Sequence, residues 1–267
     1  AWPTLLLAGG VLLGEAAVWA ACLSGVLPLW AGAILATMLG YVAFTPMHDA
    51  SHGAVAGSKS REWLDKLVGY VMGFLLLAPY PVFRSIHLKH HGATNDPERD
   101  PDYWVAGSNP VSTAARCMTI VGHYYVVFFQ RVLNNDPAMK KALVPGVLGL
   151  AATAAVMVAL VASGLALPML ALWVAPAILA SGLLAFLFDY VPHHPHDTQG
   201  RHVDTRVILI PGLSIPMLAQ NYHLVHHLYP RVPFYRYAAL YREIEDELVE
   251  RGAPVVEWPR QRESVSA

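Results

Sequence analysis

The chain has 267 residues, of which 55% are hydrophobic and only 14% are charged, and its formal net charge is −1. A soluble domain has roughly 25% charged residues, so this composition indicates an integral membrane protein. It excludes disordered, collagen-like and coiled-coil chains, and a nearly neutral chain offers no overall positive field that would attract nucleic acid.

Four apolar stretches are long enough to cross a bilayer as helices, which takes roughly 20 residues. They are residues 2–24, 27–44, 142–163 and 165–190. The connectors within the first pair and within the second pair are very short, so each pair must form an antiparallel hairpin. Both connectors are therefore expected on the same side of the membrane.

The lysines and arginines predict the orientation of this bundle. All 18 of them fall in two segments, ten in residues 59–141 and eight in residues 201–262. By the positive-inside rule both segments are cytoplasmic. The predicted fold is therefore an all-α integral membrane domain covering residues 1–267, in which four spans carry a cytosolic cap formed by residues 45–141 and 191–267.

Two apolar segments inside the predicted cap are poor candidates for spans. Residues 67–83 contain Pro79 and Pro81, and at about 17 residues they reach only the lower limit for crossing. If this segment crossed, the histidines before and after it would lie on opposite sides of the membrane and could not share a site. We therefore expect it to be interfacial or re-entrant, and we expect the same of the aromatic segment 117–132. Residues 237–251 are expected to form a surface helix.

Histidine is the unusual residue of this chain, since there are 13 and eight of them fall in three short motifs. These motifs are His48-Asp-Ala-Ser-His52, His87-Leu-Lys-His90-His91 and His223-Leu-Val-His226-His227. On a helix, residues three or four apart lie on one face, so each motif can direct its imidazoles at one point. A mononuclear site takes three or four protein ligands, so eight histidines are too many for one metal ion and suit two. The predicted topology places all three motifs at the cytoplasmic ends of the spans.

One further histidine and several carboxylates lie near these motifs. We expect His193, immediately after the fourth span, to complete the site. The remaining histidines are expected to be structural or solvated: His123, His194, His196 and His202. A ligating histidine usually donates its second N–H to a carboxylate or a carbonyl. The candidates for this orienting role are Asp49, Asp96, Asp100 and Asp102, while Asp189 is a candidate for a direct or water-mediated ligand.

The residue types leave the metal and the reaction open, because an all-histidine set suits iron, zinc or copper. An intramembrane zinc hydrolase is one alternative, since His48-Asp-x-x-His52 has the spacing of HExxH with aspartate in place of the glutamate base. One zinc ion would leave most of the clustered histidines unexplained. A metal transporter is another alternative, but its ligands should line the middle of the spans rather than their ends.

Together the motifs resemble the membrane fatty-acid-desaturase superfamily of di-iron proteins, which carries HxxxH, HxxHH and HxxHH boxes on the cytosolic side of four spans. Within that superfamily the likeness is greatest to the desaturase-like beta-carotene hydroxylases. The resemblance covers about residues 44–240 and is carried by these segments: Met47-His-Asp-Ala-Ser-His-Gly53, Val82-Phe-Arg-Ser-Ile-His-Leu-Lys-His-His91, Asn95-Asp-Pro, Asp100-Pro-Asp102, Val191-Pro-His193 and Gln220-Asn-Tyr-His-Leu-Val-His-His-Leu-Tyr-Pro230.

The resemblance implies a non-haem centre of two iron ions that activates O2 and attacks an unactivated C–H bond of a lipid. The implied substrate is the ring of a carotenoid such as beta-carotene, or alternatively a fatty-acyl chain that is desaturated. Desaturases often carry Asn-x-x-x-His after the last span, where this chain has Asp189 in place of the asparagine. The implied iron ligands are His48, His52, His87, His90, His91, His193, His223, His226 and His227.

Such a reaction needs two electrons per turnover from outside the chain. The sequence has no cysteine run for an iron–sulfur cluster, no GxGxxG for a flavin or nicotinamide, and no haem attachment motif. A separate electron donor such as a ferredoxin must therefore dock. We expect Arg231, Arg236 and Arg242 on the cytosolic side to attract it, with lipid-headgroup anchoring as their alternative role.

Overall fold

The computed structural model describes residues 2–258, and the regular structure in this range is helical apart from one two-stranded sheet. Its helices are α1 (Trp2–Leu23), α2 (Leu29–Ser51), α3 (Glu62–Leu75), α4 (Tyr80–Ala93), α5 (Pro110–Met118), α6 (Ile120–Leu133), α7 (Pro137–Ala162), α8 (Ala166–Tyr190), α9 (His223–Leu228) and α10 (Tyr237–Glu250). Helix α8 contains two π-helical segments, Leu170–Val174 and Ala185–Tyr190. Short 3-10 helices are Lys59–Arg61, Pro101–Val105, Gln220–Tyr222 and Phe234–Arg236.

Four of these helices, α1, α2, α7 and α8, are long and apolar enough to cross a membrane, as the sequence predicts. They differ in how much protein covers them. Only 6% of the most apolar part of α7 is buried inside the protein, against 44% for α8. Helix α7 therefore presents most of its side chains to lipid, whereas α8 is the span most enclosed by other helices.

Two spans extend further than predicted, and both extensions bring polar residues onto helices. Helix α2 continues to Ser51, past Pro46 and the predicted end at residue 44, because its last turns are polar yet packed inside the protein. The first histidine motif therefore begins on a span. Helix α7 starts at Pro137, where the Asp136 carboxylate accepts hydrogen bonds from the N–H groups of Ala138 and Met139.

Helices α3 and α4 meet at a bend of 100°. They approach closely at two glycines: a Cβ on Gly69 would lie 2.4 Å from the Tyr80 ring, and one on Gly73 would lie 2.5 Å from the Ala78 carbonyl oxygen. The Nε2 atoms of His52, before α3, and His87, on α4, are only 2.8 Å apart. The α3–α4 pair therefore leaves and returns to the same end of the bundle, as a re-entrant segment does.

The C-terminal part of the cap forms its own apolar core beneath α10. Tyr237, Tyr241 and Leu248 on α10 are buried against α9 and against β1 (Val207–Leu209) and β2 (Val255–Glu257). The two strands pair in parallel, with Val207 opposite Val255. This small sheet is absent from the all-α prediction, and it fixes the ends of the segment that carries the third histidine motif.

Candidate metal centre

The nine predicted histidines meet at the end of the bundle where α2 and α8 finish. His48 and His52 lie at the end of α2, His193 follows α8, and the two HxxHH motifs lie on α4 and α9. Seven of the nine are buried, while His91 and His227 are half-buried. Three sequence segments and one turn thus deliver nine imidazoles to one place.

The histidines divide into two groups, within each of which the ligand atoms lie within 4.8 Å of one another. The five-histidine group consists of His48, His52, His87, His91 and His226. The four-histidine group consists of His90, His193, His223 and His227.

Each HxxHH motif contributes to both groups. On α4 the first and last histidines join the five-histidine group and the middle one, His90, joins the other. On α9 the assignment is reversed, since His226 alone joins the five-histidine group. The expectation that each motif converges on one point is therefore wrong for the two HxxHH motifs, although His48 and His52 do share one group. Around the helix axis, residues i and i+4 are only about 40° apart and share a target, whereas residue i+3 lies about 60° from residue i and about 100° from residue i+4.

In the five-histidine group the imidazoles face one another through Nε2. The Nε2 atom of His226 lies 3.0 Å from that of His48 and 2.9 Å from that of His91. The Nε2 atom of His87 lies 2.8 Å from that of His52 and 3.2 Å from that of His91. Five nitrogen lone pairs can thus be directed at a common centre.

The four-histidine group repeats this arrangement. The Nε2 atom of His223 lies 3.0 Å from that of His193 and 3.2 Å from that of His227. The Nε2 atoms of His90 and His227 are 3.3 Å apart. Every close nitrogen pair within the two groups uses Nε2, which leaves each Nδ1 atom free to contact the surrounding protein.

These distances suit metal coordination. A bond of about 2.1 Å from a first-row metal to each imidazole places neighbouring ligand nitrogens roughly 3.0–3.4 Å apart. Burial also lowers the pKa of the histidines after α8 and on α9 well below its usual range, and the charge of neighbouring histidines lowers it further: His193, His223, His226 and His227. Neutral imidazoles are the form that binds metal, so each group fits one metal ion.

A carboxylate pair supports the four-histidine group from outside. The Nδ1 atom of His90 lies 2.9 Å from Asp100 Oδ1 and 3.4 Å from Asp102 Oδ2. Asp100 also accepts hydrogen bonds from the N–H groups of Asn95 and Asp102, which hold its carboxylate in place. Asp102 accepts a 2.6 Å hydrogen bond from the Tyr124 hydroxyl. This is the arrangement expected of carboxylates that orient a ligating histidine.

Other outer contacts were not predicted from the sequence. The hydroxyl of Tyr237 lies 2.8 Å from Nδ1 of His226, and the carbonyl oxygen of Asp204 lies 3.1 Å from Nδ1 of His193. Thr94 Oγ1 lies 3.5 Å from Nδ1 of His227. The contact of Thr94 could have been predicted from the sequence, because Thr94 lies one helical turn after His90. The contacts of Tyr237 and Asp204 could not, because these residues come from segments distant in sequence.

Two of the predicted carboxylates make other contacts. Asp49 accepts hydrogen bonds from the Thr4 hydroxyl (3.0 Å) and the Phe234 N–H (3.3 Å), so it ties α1 and the C-terminal segment to α2. Asp96 forms an ion pair with Arg99 (2.6 Å) on the surface. Among the described residues neither carboxylate bonds to a histidine, so the orienting role predicted for both is wrong.

Asp189 belongs to neither histidine group and instead lines a narrow apolar cavity between α2, α4, α6 and α8. Four aromatic rings and several aliphatic side chains line this apolar cavity, and His87 reaches it from the five-histidine group. Its aromatic members are Phe44, Phe83, Tyr124 and Tyr125. A hydrocarbon held there would lie directly beside the five-histidine group.

The remaining histidines lie outside both groups, as expected. His123, for example, stacks on Trp104 with ring centroids 4.4 Å apart, and its Nε2 lies 3.1 Å from the Pro101 carbonyl oxygen. The clustering is therefore confined to the nine histidines chosen from motif spacing and position.

Comparison with known proteins identifies the family of this chain. The model of the family described as Fatty acid desaturase matches residues 24–259, a range that contains all nine histidines. A protein named "Fatty acid desaturase" from Bacillus subtilis (strain 168) is 26% identical over 226 residues. The match covers 72% of this chain but only 61% of that relative, so the chain spans less than two thirds of the relative's length. Because the family match covers most of the chain, the protein belongs to the fatty acid desaturase family.

Proposed function

We propose that this protein is a non-haem di-iron oxidoreductase that uses O2 to hydroxylate the ring of a carotenoid such as beta-carotene, with its metal centre on the cytoplasmic side of the membrane. The observation that carries the proposal is the division of nine buried or half-buried histidines into two adjacent groups. The position of all 18 basic residues outside the two tight connectors supports the cytoplasmic side.

The ligand set favours iron over a single zinc ion. A catalytic zinc site uses three protein ligands, whereas the two groups offer five and four imidazoles. The zinc hydrolase also requires the aspartate of the first motif as its base, yet Asp49 is engaged by Thr4 and Phe234. When bound, two iron ions would supply the activation of O2 and the oxidising power for the C–H bond.

The chain itself would position the substrate and exclude water. The aromatic and aliphatic walls of the apolar cavity would hold a hydrocarbon segment against His87. Removal of water from this space favours reaction at the bound carbon over unproductive side reactions. Asp100 and Asp102 would fix the ring of His90, and Tyr237 would fix that of His226.

Desaturation of a fatty-acyl lipid is the second candidate function. The relative from Bacillus subtilis, 26% identical, has the name "Fatty acid desaturase". An acyl chain would use the same apolar cavity and the same nine proposed ligands. The two functions differ in the product, which is a hydroxylated ring in one case and a new acyl double bond in the other.

The test combines metal analysis with product analysis on detergent-purified protein. Supplied with O2, a reducing system and either beta-carotene or a fatty-acyl lipid, the protein is expected to contain two irons per chain and to yield a hydroxylated ring. Two irons with a new acyl double bond would select the second candidate. One zinc per chain with no oxygen consumption would contradict both. His202→Ala is the matched control for histidine variants, because His202 lies outside both groups.

A further inference from the structure

A second and larger cavity, the basic cleft, lies on the other side of α4 from the apolar cavity. It has a volume of about 1180 Å³, and its walls contain eight lysine and arginine side chains but only two acidic ones, Glu62 and Asp65. The cleft runs along α4 between α3 and the beginning of α7. Its walls therefore carry a strong excess of positive charge.

Three of the eight cations are neutralised by carboxylates. Lys66 pairs with Glu62, Lys89 pairs with Asp136 at 2.7 Å, and Arg99 pairs with Asp96. The other five have no carboxylate partner among residues 2–258: Lys59, Arg84, Arg131, Lys141 and Arg231. Arg84 and Arg131 donate only to backbone carbonyl groups, which leave their charge uncompensated. A concave surface lined by charge of one sign focuses its field on an incoming partner.

The basic cleft reaches the proposed metal centre. His52 forms part of its wall, and the Nε2 atom of His52 is 2.8 Å from that of His87. The apolar cavity touches the same histidine group through His87, and the two cavities share no lining residue. Helix α4 separates them, with Arg84 and Leu88 facing the cleft and Phe83 and His87 facing the apolar cavity.

We propose that the basic cleft is the docking site of an acidic, one-electron iron–sulfur protein that supplies the electrons of the reaction. This inference rests on the proposed function. An apolar substrate would occupy the other cavity, which lies on the opposite face of α4. An acidic donor complements the unpaired cations, and docking there brings it close to a ligand of the five-histidine group without displacing the substrate.

The electron balance defines what the donor must deliver. Hydroxylation converts R–H, O2, two electrons and two protons into R–OH and water. Each reduced donor is oxidised by one electron, so two donor molecules must dock in turn for each product. The site must therefore release the oxidised donor readily, which suits an electrostatic contact whose strength depends on ionic strength.

Only one of the three arginines expected to attract the electron donor lies in the basic cleft. Arg231 lines the cleft, whereas Arg236 and Arg242 are exposed on the C-terminal segment outside it. The double variant K59E/K141E therefore reverses two exposed cations of the cleft, and R236E/R242E makes the same change of charge elsewhere.

The experiment measures the affinity of iron-loaded full-length protein, in nanodiscs of uncharged phosphatidylcholine, for an acidic plant-type [2Fe–2S] ferredoxin. Wild type is expected to bind at low ionic strength and to weaken as salt is added. K59E/K141E is expected to raise Kd by about tenfold or more, and R236E/R242E by less than about threefold. Absence of ferredoxin binding to wild type at low salt, or equal losses in the two double variants, would overturn the proposal.

A phosphate-bearing lipid headgroup is the rival occupant, and competition distinguishes it. Short-chain phosphatidylglycerol below its micellar concentration is expected to leave ferredoxin binding unchanged. Displacement of ferredoxin from wild type, with direct binding of that lipid lost in K59E/K141E, would assign the cleft to a headgroup instead. Iron content is measured on the same samples. A wild type without iron would defeat the proposed function, whereas normal iron with unchanged ferredoxin affinity in K59E/K141E would defeat only the docking site.

Discussion

The two histidine groups differ in the number of imidazoles that they offer to a metal ion and in the residues that contact those imidazoles from outside. The five-histidine group has one more imidazole, and its outer contact among residues 2–258 is a neutral hydroxyl, that of Tyr237 on His226. The four-histidine group has fewer imidazoles but backs His90 with two buried carboxylates, Asp100 and Asp102. A carboxylate raises the basicity of the imidazole that it contacts. One group therefore offers more imidazoles, and the other offers fewer imidazoles of which one, His90, is made more basic by carboxylates.

The sharpest way to break this comparison is to remove one ligand from each group. His90→Ala leaves three imidazoles and strips the carboxylates of their partner, so it should lose the iron of its group and abolish turnover. His87→Ala leaves four imidazoles and should retain more iron, although turnover should also be lost. Metal content by mass spectrometry, with His202→Ala as the control, measures both. Full iron and full turnover in purified His90→Ala would remove it from the ligand set.

The next test removes the negative charge of Asp100 while keeping the size and shape of its side chain. Asp100→Asn preserves an acceptor oxygen but removes the negative charge facing His90, so affinity for one iron should fall about 10–100-fold. A chelator competition with purified protein measures the change. The matched control is Asp96→Asn, the same substitution in the same loop at a carboxylate that contacts Arg99 rather than a histidine. Equal iron affinity in the two variants would show that the carboxylate does not strengthen the four-histidine group.

A smaller effect is expected at the hydroxyl of the five-histidine group. Tyr237→Phe removes the contact to Nδ1 of His226 and leaves four other imidazoles in place. Because the lost partner is neutral, iron affinity should fall by about tenfold or less, at the low end for outer-shell contacts. Tyr241→Phe, on the same helix, is the control, because its hydroxyl donates to Glu245 rather than to a histidine. A loss larger than that of Asp100→Asn would reverse the proposed contrast between the groups.

The smallest effect is expected at Lys89, which lies between His87 and His90 of the second motif. Its side chain points to the opposite side of α4 and forms a half-exposed ion pair with Asp136. Lys89→Ala should therefore retain both irons and change the free energy of unfolding by only about 0–1 kcal/mol. Iron content and thermal unfolding check this. Loss of metal in Lys89→Ala would mean that the ligand face of α4 is assigned incorrectly.

Motif spacing predicts which histidines cluster because spacing determines the face of a helix. All eight motif histidines lie in the two groups, and so does His193, which is expected from its position after the last span. Spacing does not predict the division into groups, since the middle histidine of each HxxHH motif departs by only part of a turn. The direction of the middle histidine places it in the other group only because α4 and α9 face each other in the fold.

The outer contacts depend on long-range packing and were accordingly harder to predict. Asp49 lies next to a motif histidine in sequence but contacts Thr4 and Phe234, whereas Asp100 reaches His90 from ten residues away. The end of α2 was predicted too early because polar residues normally mark the membrane surface. At the end of α2 the polar residues instead lie in a buried site, and composition alone does not distinguish a buried polar site from the membrane surface.

The most direct test of the central claim is the number and identity of metal ions per chain. We expect about two irons in purified wild type, one for each histidine group, and an affinity for one of them that falls about 10–100-fold in Asp100→Asn. A single metal ion per chain, or one zinc ion that survives both His87→Ala and His90→Ala, would contradict it.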